Sequence, residues 1–561
     1  MIKSQFPFVY FNLRNKESWV LYIAMFLMGA CGLAYEYTLS KIASDILGNS
    51  VRQWAVIIGV MMFFMGIGAD LQKYFSDKFI VDYFIFFEIL IGLAGAFGPI
   101  LYIYVYGHFP MQFVLVQYFF IVLIGLIIGF EIPLITRINE QFIQQLKLNL
   151  AAVLKMDYIG SLAGALGWVF LLPLFFEQVQ SAFVLGILNL LVAGFTLYFF
   201  RKMVVKKLLL SLFAIISFLA IIFGYSKATD WRVFSEQYLY RDQIVLSKTT
   251  RYQHIVLTES RSGDISCYIN GHLQFKSVDE FIYHENLVHA AFEIAPIRKN
   301  ILVLGGGDGL ALREILKYPD VESVVLCDID PEMTRLAKED YYFNTINNNS
   351  LASANVTILK NNVLSAADSI DVITVSQNSF HGRKYDKTAR VEIINLDAVA
   401  FIEQISGIYD IIIMDFPDPN SPDLAKLYSE QFYQTLKKKL AANGIIVQQS
   451  TSPYHAKEVF LSIGRTLTAS GFSVIPYKDN VPSFGEWGWW IGGRDEYYST
   501  ATLTKRISSI EMLDVDTQYL TPEVLKGALV FGKDQLNSDE KDINTLANNL
   551  AYWYYLESWQ E

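Results

Sequence analysis

Four aspartates in the C-terminal half stand directly after apolar runs: Asp328 closes SVVLCD, Asp397 closes VEIINLD, and Asp415 with Asp418 closes IIIMDFPD. Runs of this kind read as buried strands, and open α/β sheets bind ligands outside the carboxyl ends of their strands. Acids gathered at such ends suit ribose hydroxyls and positively charged substrates. Any one of them alone is more often a helix cap; Asp328, Asp397 and Asp415 together point to one crevice.

The elements that position them begin at Asn300, where ILVLGGGDGLALREILKYP is followed by VESVVLCDIDPEMTRLAKE. The order is strand, glycine turn, helix and a second strand ending in acid, the start of a doubly wound α/β fold. Gly305, Gly306 and Gly307 let backbone approach a ligand closely. Asp328 lies about 20 residues beyond the turn, the distance at which an acid meets a ribose. The turn reads GGGDG and not GxGxxG, and its Asp308 would repel a pyrophosphate. A nucleoside without phosphates, carrying a sulfonium charge, fits better than a dinucleotide.

The chain of 561 residues divides in kind near Tyr225. Crossing a bilayer takes about 20 mostly apolar residues, and seven stretches qualify, near 18–38, 54–71, 80–106, 112–136, 151–175, 180–200 and 207–226. Glu36, Asp70, Glu131 and Asp157 lie in or beside them; the plainer reading makes these interfacial, with Glu36 paired to Lys41 one turn on. Small residues in GSLAGALG (160–167) allow close helix contact. Lys and Arg concentrate in the N-terminal tail and the even-numbered loops, which favours an internal N-terminus, whereas a nucleotide-using domain belongs in the cytoplasm. The formal charge of −10, with no basic stretch interleaved with aromatics, speaks against nucleic acid as a partner. Cys31, Cys267 and Cys327 lack metal-ligand or disulfide spacing and read as buried hydrophobes.

Along its whole length the chain resembles the spermidine synthase family, and within it the membrane-fused polyamine aminopropyltransferases of bacteria. The carrying motifs are GACGLAYEYTLSKIASDILG, the hairpin YQHIVLTESRSGDISCYINGHLQFKSVDEFIYHE, GGGDGLALRE, DID, DFPDPNSPDLAKLYS and VPSFGEWGWW. The resemblance implies an N-terminal all-α polytopic membrane bundle (1–226), a β-hairpin subdomain (227–295) and a Rossmann-like catalytic domain (296–561). It implies that Gln253, Gly305, Gly306, Asp328, Asp397, Ala398 and Pro422 contact the thionucleoside. It places Tyr283, His284, Asp308, Asp415, Asp418 and Gln274 about the amine, with Asp415 as proton acceptor. Three positions depart from the family pattern: Ala398 stands where glycine is usual, Asp328 where glutamate is usual, and VPSFGEWG lacks a usual tyrosine. Between Asp340 and Arg390 lies a long polar insertion, read as a mobile surface loop.

The implied reaction moves an aminopropyl group from decarboxylated S-adenosylmethionine, a co-substrate, to a diamine such as putrescine, giving spermidine and methylthioadenosine. No metal and no prosthetic group is called for. The implied partners are the diamine, the lipid bilayer and further copies of the chain, met through the hairpin as in soluble relatives; the implied location is the cell membrane, multi-pass. The alternatives are an AdoMet-dependent methyltransferase on the same fold, and a polyamine transporter or sensor with a binding-only domain.

Overall fold

The computed structural model describes residues 16–47, 50–351, 369–376 and 388–558. They form two compact units, Met1–Thr249 and Thr250–Glu561. The first contains seven long helices: α1 (Lys16–Leu47), α2 (Ser50–Leu71), α3 (Ile80–His108), α4 (Phe113–Glu140), α5 (Leu146–Leu166), α6 (Gln178–Phe199) and α7 (Lys207–Glu236), followed by strand β1 (Gln243–Thr249). All seven are long and apolar enough to cross a membrane. The seventh continues past Ser226 to Glu236, and the contact boundary falls at Thr249. That continuation is held by Arg232, which is buried in α7 and bonds Glu236 at 2.9 Å and Ser247 at 2.6 Å. The glycines of GSLAGALG do bring two helices together: a Cβ on Gly160 or Gly164 would stand 2.0 or 2.2 Å from the α1 carbonyls of Phe26 and Ala30. Glu36 is buried, but the expected pairing is not formed, because Lys41 reaches Asp45 instead. All three cysteines are buried and free.

In the second unit the expected hairpin is a three-stranded antiparallel meander, β2 (His254–Glu259), β3 (Ile265–Ile269) and β4 (His272–Lys276). Asn270 and Gly271, both at positive φ, make its second turn. Helix α8 (Glu280–Ile294) leads into the main sheet. Its elements are β5 (Asn300–Gly305), α9 (Leu310–Ile315), β6 (Ser323–Asp328), α10 (Pro331–Glu339), α11 (Tyr341–Ile346), β7 (Ser369–Ser376), β8 (Thr388–Asn395), α12 (Ala398–Gln404), β9 (Tyr409–Asp415), α13 (Pro422–Ala425), α14 (Glu430–Lys437), β10 (Leu440–Gln449), α15 (Lys457–Ala469), β11 (Phe472–Val481) and β12 (Gly485–Arg494). Helices α16 (Thr500–Ser508), α17 (Pro522–Ala528) and α18 (Leu550–Ser558) follow.

The strand order is β11-β12-β10-β9-β5-β6-β8-β7. The five strands from β10 to β8 are parallel, and the flanking pairs are antiparallel. Successive residues of β5 alternate between two cores, Ile301 and Val303 to one face, Leu302 and Leu304 to the other. Helices therefore cover both faces, which explains the continuous apolar runs. From β5 the chain moves outward through β6 to β8 and returns to β9 on the other side, so the order reverses between β5 and β9.

The insertion after Asp340 is in part ordered structure rather than loop. Asp340 caps α11 through Tyr342 N, and β7 pairs antiparallel with β8. Asn347 is fully buried and donates to the carbonyls of Asp308 and Ala337, while Ser350 Oγ donates to the Gly309 carbonyl. The NNN turn that looked like a surface tract thus buttresses the glycine turn, with Asn348 and Asn349 at positive φ. Residues 352–368 and 377–387 of the insertion lie outside the described residues.

Candidate active site

The sheet brings the glycine turn and Asp415 together at the point of reversal, where doubly wound folds bind ligands. Gly305 ends β5 opposite Asp415 at the end of β9. With φ at +84°, Gly305 would carry a Cβ only 2.1 Å from the Asp415 carbonyl oxygen, so no side chain fits between these strand ends. Asp308 Oδ1 accepts from Leu310 N at 2.9 Å as α9 begins.

Tyr283, one turn into α8, donates its hydroxyl to Asp415 Oδ1 at 2.6 Å. Its neighbour His284 is buried and donates Nδ1–H to the Glu280 carbonyl and carboxylate, each at 2.8 Å. Glu280 also takes both ends of the Arg313 guanidinium, at 2.6 and 3.0 Å. Burial opposes charge on His284, but the Glu280 bond and charge outweigh it and hold the imidazole up to about 9, with Asp308 and Asp415 adding to the effect. Burial drives the carboxyls the other way. Asp308 is raised to about 6 against the lowering by His284. Asp415 is raised by burial, restrained by His284 and by the Tyr283 hydroxyl. Asp418 is also raised to about 6 by burial, restrained by bonds from Gln449, Thr451 and Tyr555. The first two measure 3.4 and 3.3 Å. Thr451 holds φ at +59°, an uncommon conformation for a β-branched residue, at the end of β10.

The expected nucleoside residues lie along the same edge. Asp328 ends β6 beside Asn395 of β8, and its carboxylate accepts from Gly307 N at 3.0 Å and Asp330 N at 2.8 Å. Burial raises it to about 7. Gln253 bonds Asp330, which also accepts from Thr250 Oγ1 at 2.8 Å. Asp397 is the N-cap of α12, accepting from Val399 N and Ala400 N, and pairs with Lys426 at 2.8 Å. The plain helix-cap role is therefore real there. Ala398 and Pro422 are the first residues of α12 and α13. Gln274 is not drawn into the Asp415 group: its Nε2 bonds the His272 carbonyl in its own strand. Glu280, Asp330, Gln449, Thr451 and Tyr555 join these groups without being among the residues that the sequence reading marks. Asp330 was legible as the second acid of DID, whereas nothing in the spacing of AYWYYLES marks Tyr555.

A doubly wound sheet with half-buried acids gathered at its switch point defines a Rossmann-like domain with a site suited to a cationic ligand. Residues 280–502 match the family described as spermine/spermidine synthase domain. The chain is 34% identical over 543 residues to a polyamine aminopropyltransferase of Leptospira interrogans, covering 96% of this chain and 98% of that protein. It is 33% identical over 554 residues to polyamine aminopropyltransferase 1 of Streptomyces coelicolor, covering 97% and 95%. Among solved structures it is similar to a spermidine synthase in complex with the transition-state analogue AdoDATO, at TM-score 0.42 and 20% identity, over 52% of this chain and 88% of that one. The chain belongs to the polyamine aminopropyltransferase family and is an aminopropyltransferase. The methyltransferase alternative falls with that assignment.

Proposed function

We propose that this aminopropyltransferase uses decarboxylated S-adenosylmethionine as donor and putrescine as acceptor, giving spermidine and methylthioadenosine. The observation that carries this reading is the trio of half-buried carboxyls Asp308, Asp415 and Asp418 at the switch point, whose desolvation a doubly charged amine would offset. Asp308 and Asp418 hold the ammonium ends; Tyr283 and His284 fix and charge the pocket between them. The nucleoside lies on Gly305, Gly306 and Asp328, with Gln253, Asp397, Ala398 and Pro422 around it.

An alkylammonium has a pKa of about 10, so the attacking nitrogen must shed a proton. Asp415 takes it; burial raises the acid and lowers the ammonium, drawing their proton affinities together. The nitrogen lone pair then attacks the carbon bound to sulfur, the C–S bond breaks with its electrons going to sulfur, and the sulfonium leaves as a neutral thioether. Asp415 passes the proton to water. Holding both reactants in line supplies several kcal/mol of the barrier.

The seven apolar helices cross a lipid bilayer in this reading, with the catalytic unit in the cytoplasm where the nucleoside donor is made. Length, hydropathy and exposed apolar side chains such as Phe63, Leu115, Phe170 and Leu208 support the crossing. The basic bias of the loops favours the opposite orientation, and protease protection of the catalytic unit in sealed vesicles decides it. The reaction is tested by supplying purified protein with decarboxylated donor and a panel of diamines, with S-adenosylmethionine as control donor. Spermidine plus methylthioadenosine supports the reading; no transfer to putrescine rejects the acceptor, and no use of the decarboxylated donor rejects the reaction.

A further inference from the structure

The helical unit buries acids that the transfer reaction does not use. Glu88 of α3 is 0% exposed and Glu131 of α4 is 2% exposed. Both Glu88 carboxylate oxygens and Glu131 Oε1 have no hydrogen-bond partner among the described residues. The same is true of two neutral side chains, the Tyr35 hydroxyl of α1 and both carboxamide atoms of Asn189 in α6, each 1% exposed. Four helices thus contribute orphaned polar atoms to the interior of one unit.

These atoms belong to one neighbourhood. The Tyr35 ring lies across Gly95 of α3, where an added Cβ would stand 2.2 Å from it. Cys31, one turn before Tyr35, donates its thiol to the Leu185 carbonyl of α6 at 3.9 Å. Asn189 follows Leu185 by one turn and packs on Gly92, itself one turn beyond Glu88; a Cβ on Gly92 would stand 3.3 Å from that of Asn189. Cys31, Tyr35, Glu88 and Glu131 lie within electrostatic reach of one another, and Asp157 of α5 within reach of Glu131. No ion pair among the described residues joins Glu88 or Glu131 to a Lys or Arg; Arg137, on α4, is committed to Gln72, Phe75 and Asp77.

Two carboxylates cannot stay charged in an apolar interior without compensation. In helices of this kind such acids face the bundle interior and mark ion or proton paths. Here the compensating groups on offer are carboxylate, phenol and carboxamide oxygens, a hard donor set suited to a compact cation. Gly92 and Gly95 keep the neighbouring face of α3 free of side chains. We propose that the helical unit contains a second site, independent of the transfer reaction, at which Glu88 and Glu131, assisted by Tyr35 and Asn189, bind a compact cation, either an alkali metal ion or a primary ammonium.

The test uses the full chain in detergent or nanodiscs, at constant ionic strength with N-methylglucamine chloride as the balancing salt. Thermal unfolding and equilibrium binding are measured against lithium, sodium, potassium, methylammonium and putrescine in separate arms. One arm is expected to show saturable binding with a melting temperature that climbs with the logarithm of concentration. That affinity should fall about tenfold or more in Glu88→Gln and Glu131→Gln, and stay unchanged in Glu140→Gln, an exposed position on α4. Tyr35→Phe, which removes one orphaned hydroxyl and keeps the ring, should also weaken it, and covers the case in which a Glu variant fails to fold. Binding to the catalytic unit is separated by Asp415→Asn, which leaves this response intact. No saturable binding in any arm, or binding indifferent to Glu88→Gln and Tyr35→Phe, overturns the proposal. So does an infrared carboxylic-acid band that persists at every cation concentration, shrinks in Glu88→Gln and in Glu131→Gln and vanishes only in the double variant, since both acids would then be neutral.

Discussion

Asp415 is fixed from two directions, by the Gly305 strand end that its own backbone pairs with and by the Tyr283 hydroxyl on its carboxylate. Replacing it by Asn keeps the shape and removes the proton acceptor of the proposed reaction, so kcat should fall about 10²- to 10⁴-fold with little change in the KM of the donor, as steady-state kinetics would read. In the proposed reaction Asp308 and Asp418 hold ammonium and must be ionised to do so, and both are raised to about 6, so kcat/KM should rise with pH through that value. The His284 charge lowers Asp308 and Asp415. His284→Gln should therefore move the acidic limb of the pH profile to higher pH; an unmoved limb would remove His284 from this role. The same residue links stability to pH. Its pKa is raised on folding, so its contribution is full below its unfolded value near 6.5 and is lost as pH climbs through about 9. The melting temperature should drop between pH 7 and 10 by more in the parent than in His284→Gln.

At the level of elements, two short turns hold the crevice. Gly305→Ala forces a Cβ into a left-handed conformation and against the Asp415 carbonyl; the conformational part alone costs about 1–2 kcal/mol, and chemical denaturation should show at least that loss together with loss of turnover. Asp397 both caps α12 and pairs with Lys426. Asp397→Ala should cost about 1 kcal/mol through the cap, whereas Lys426→Met leaves the cap and should cost less. A raised donor KM in Asp397→Ala, absent in Lys426→Met, would mark the carboxylate as a nucleoside contact. Asn347 carries a similar double load, since it ties the start of the insertion to the glycine turn through the Asp308 carbonyl.

For the molecule as a whole, the relatives align across 96% of the chain and through both units, so the helical unit is a family trait and not a separate attachment. Seven helices with apolar side chains turned outward have no reason to stay in water. After cell breakage the protein should remain in the membrane pellet through high-salt and alkaline washes and leave it only in detergent; recovery in the soluble fraction would reject the bilayer reading.

The sequence by itself determined the seven apolar helices, the strand, glycine turn and helix order, and the acids at strand ends, because each is written in a short window of hydrophobic period and turn residues. The resemblance names Tyr283 as a neighbour of the amine, but its bond to Asp415 spans 132 positions and exists only once α8 packs against the end of β9. The same holds for Gln449, Thr451 and Tyr555 on Asp418, for Arg313 on Glu280, and for the burial of Asn347. Polar residues of this kind look solvated in sequence, since their type does not reveal whether packing will remove their water. Glu131 reads as interfacial in sequence for that reason. Only the packing of α1, α3, α4 and α6 decided that it is enclosed with Glu88, Tyr35 and Asn189, and burial, not composition, turns such groups from spectators into groups that need a partner.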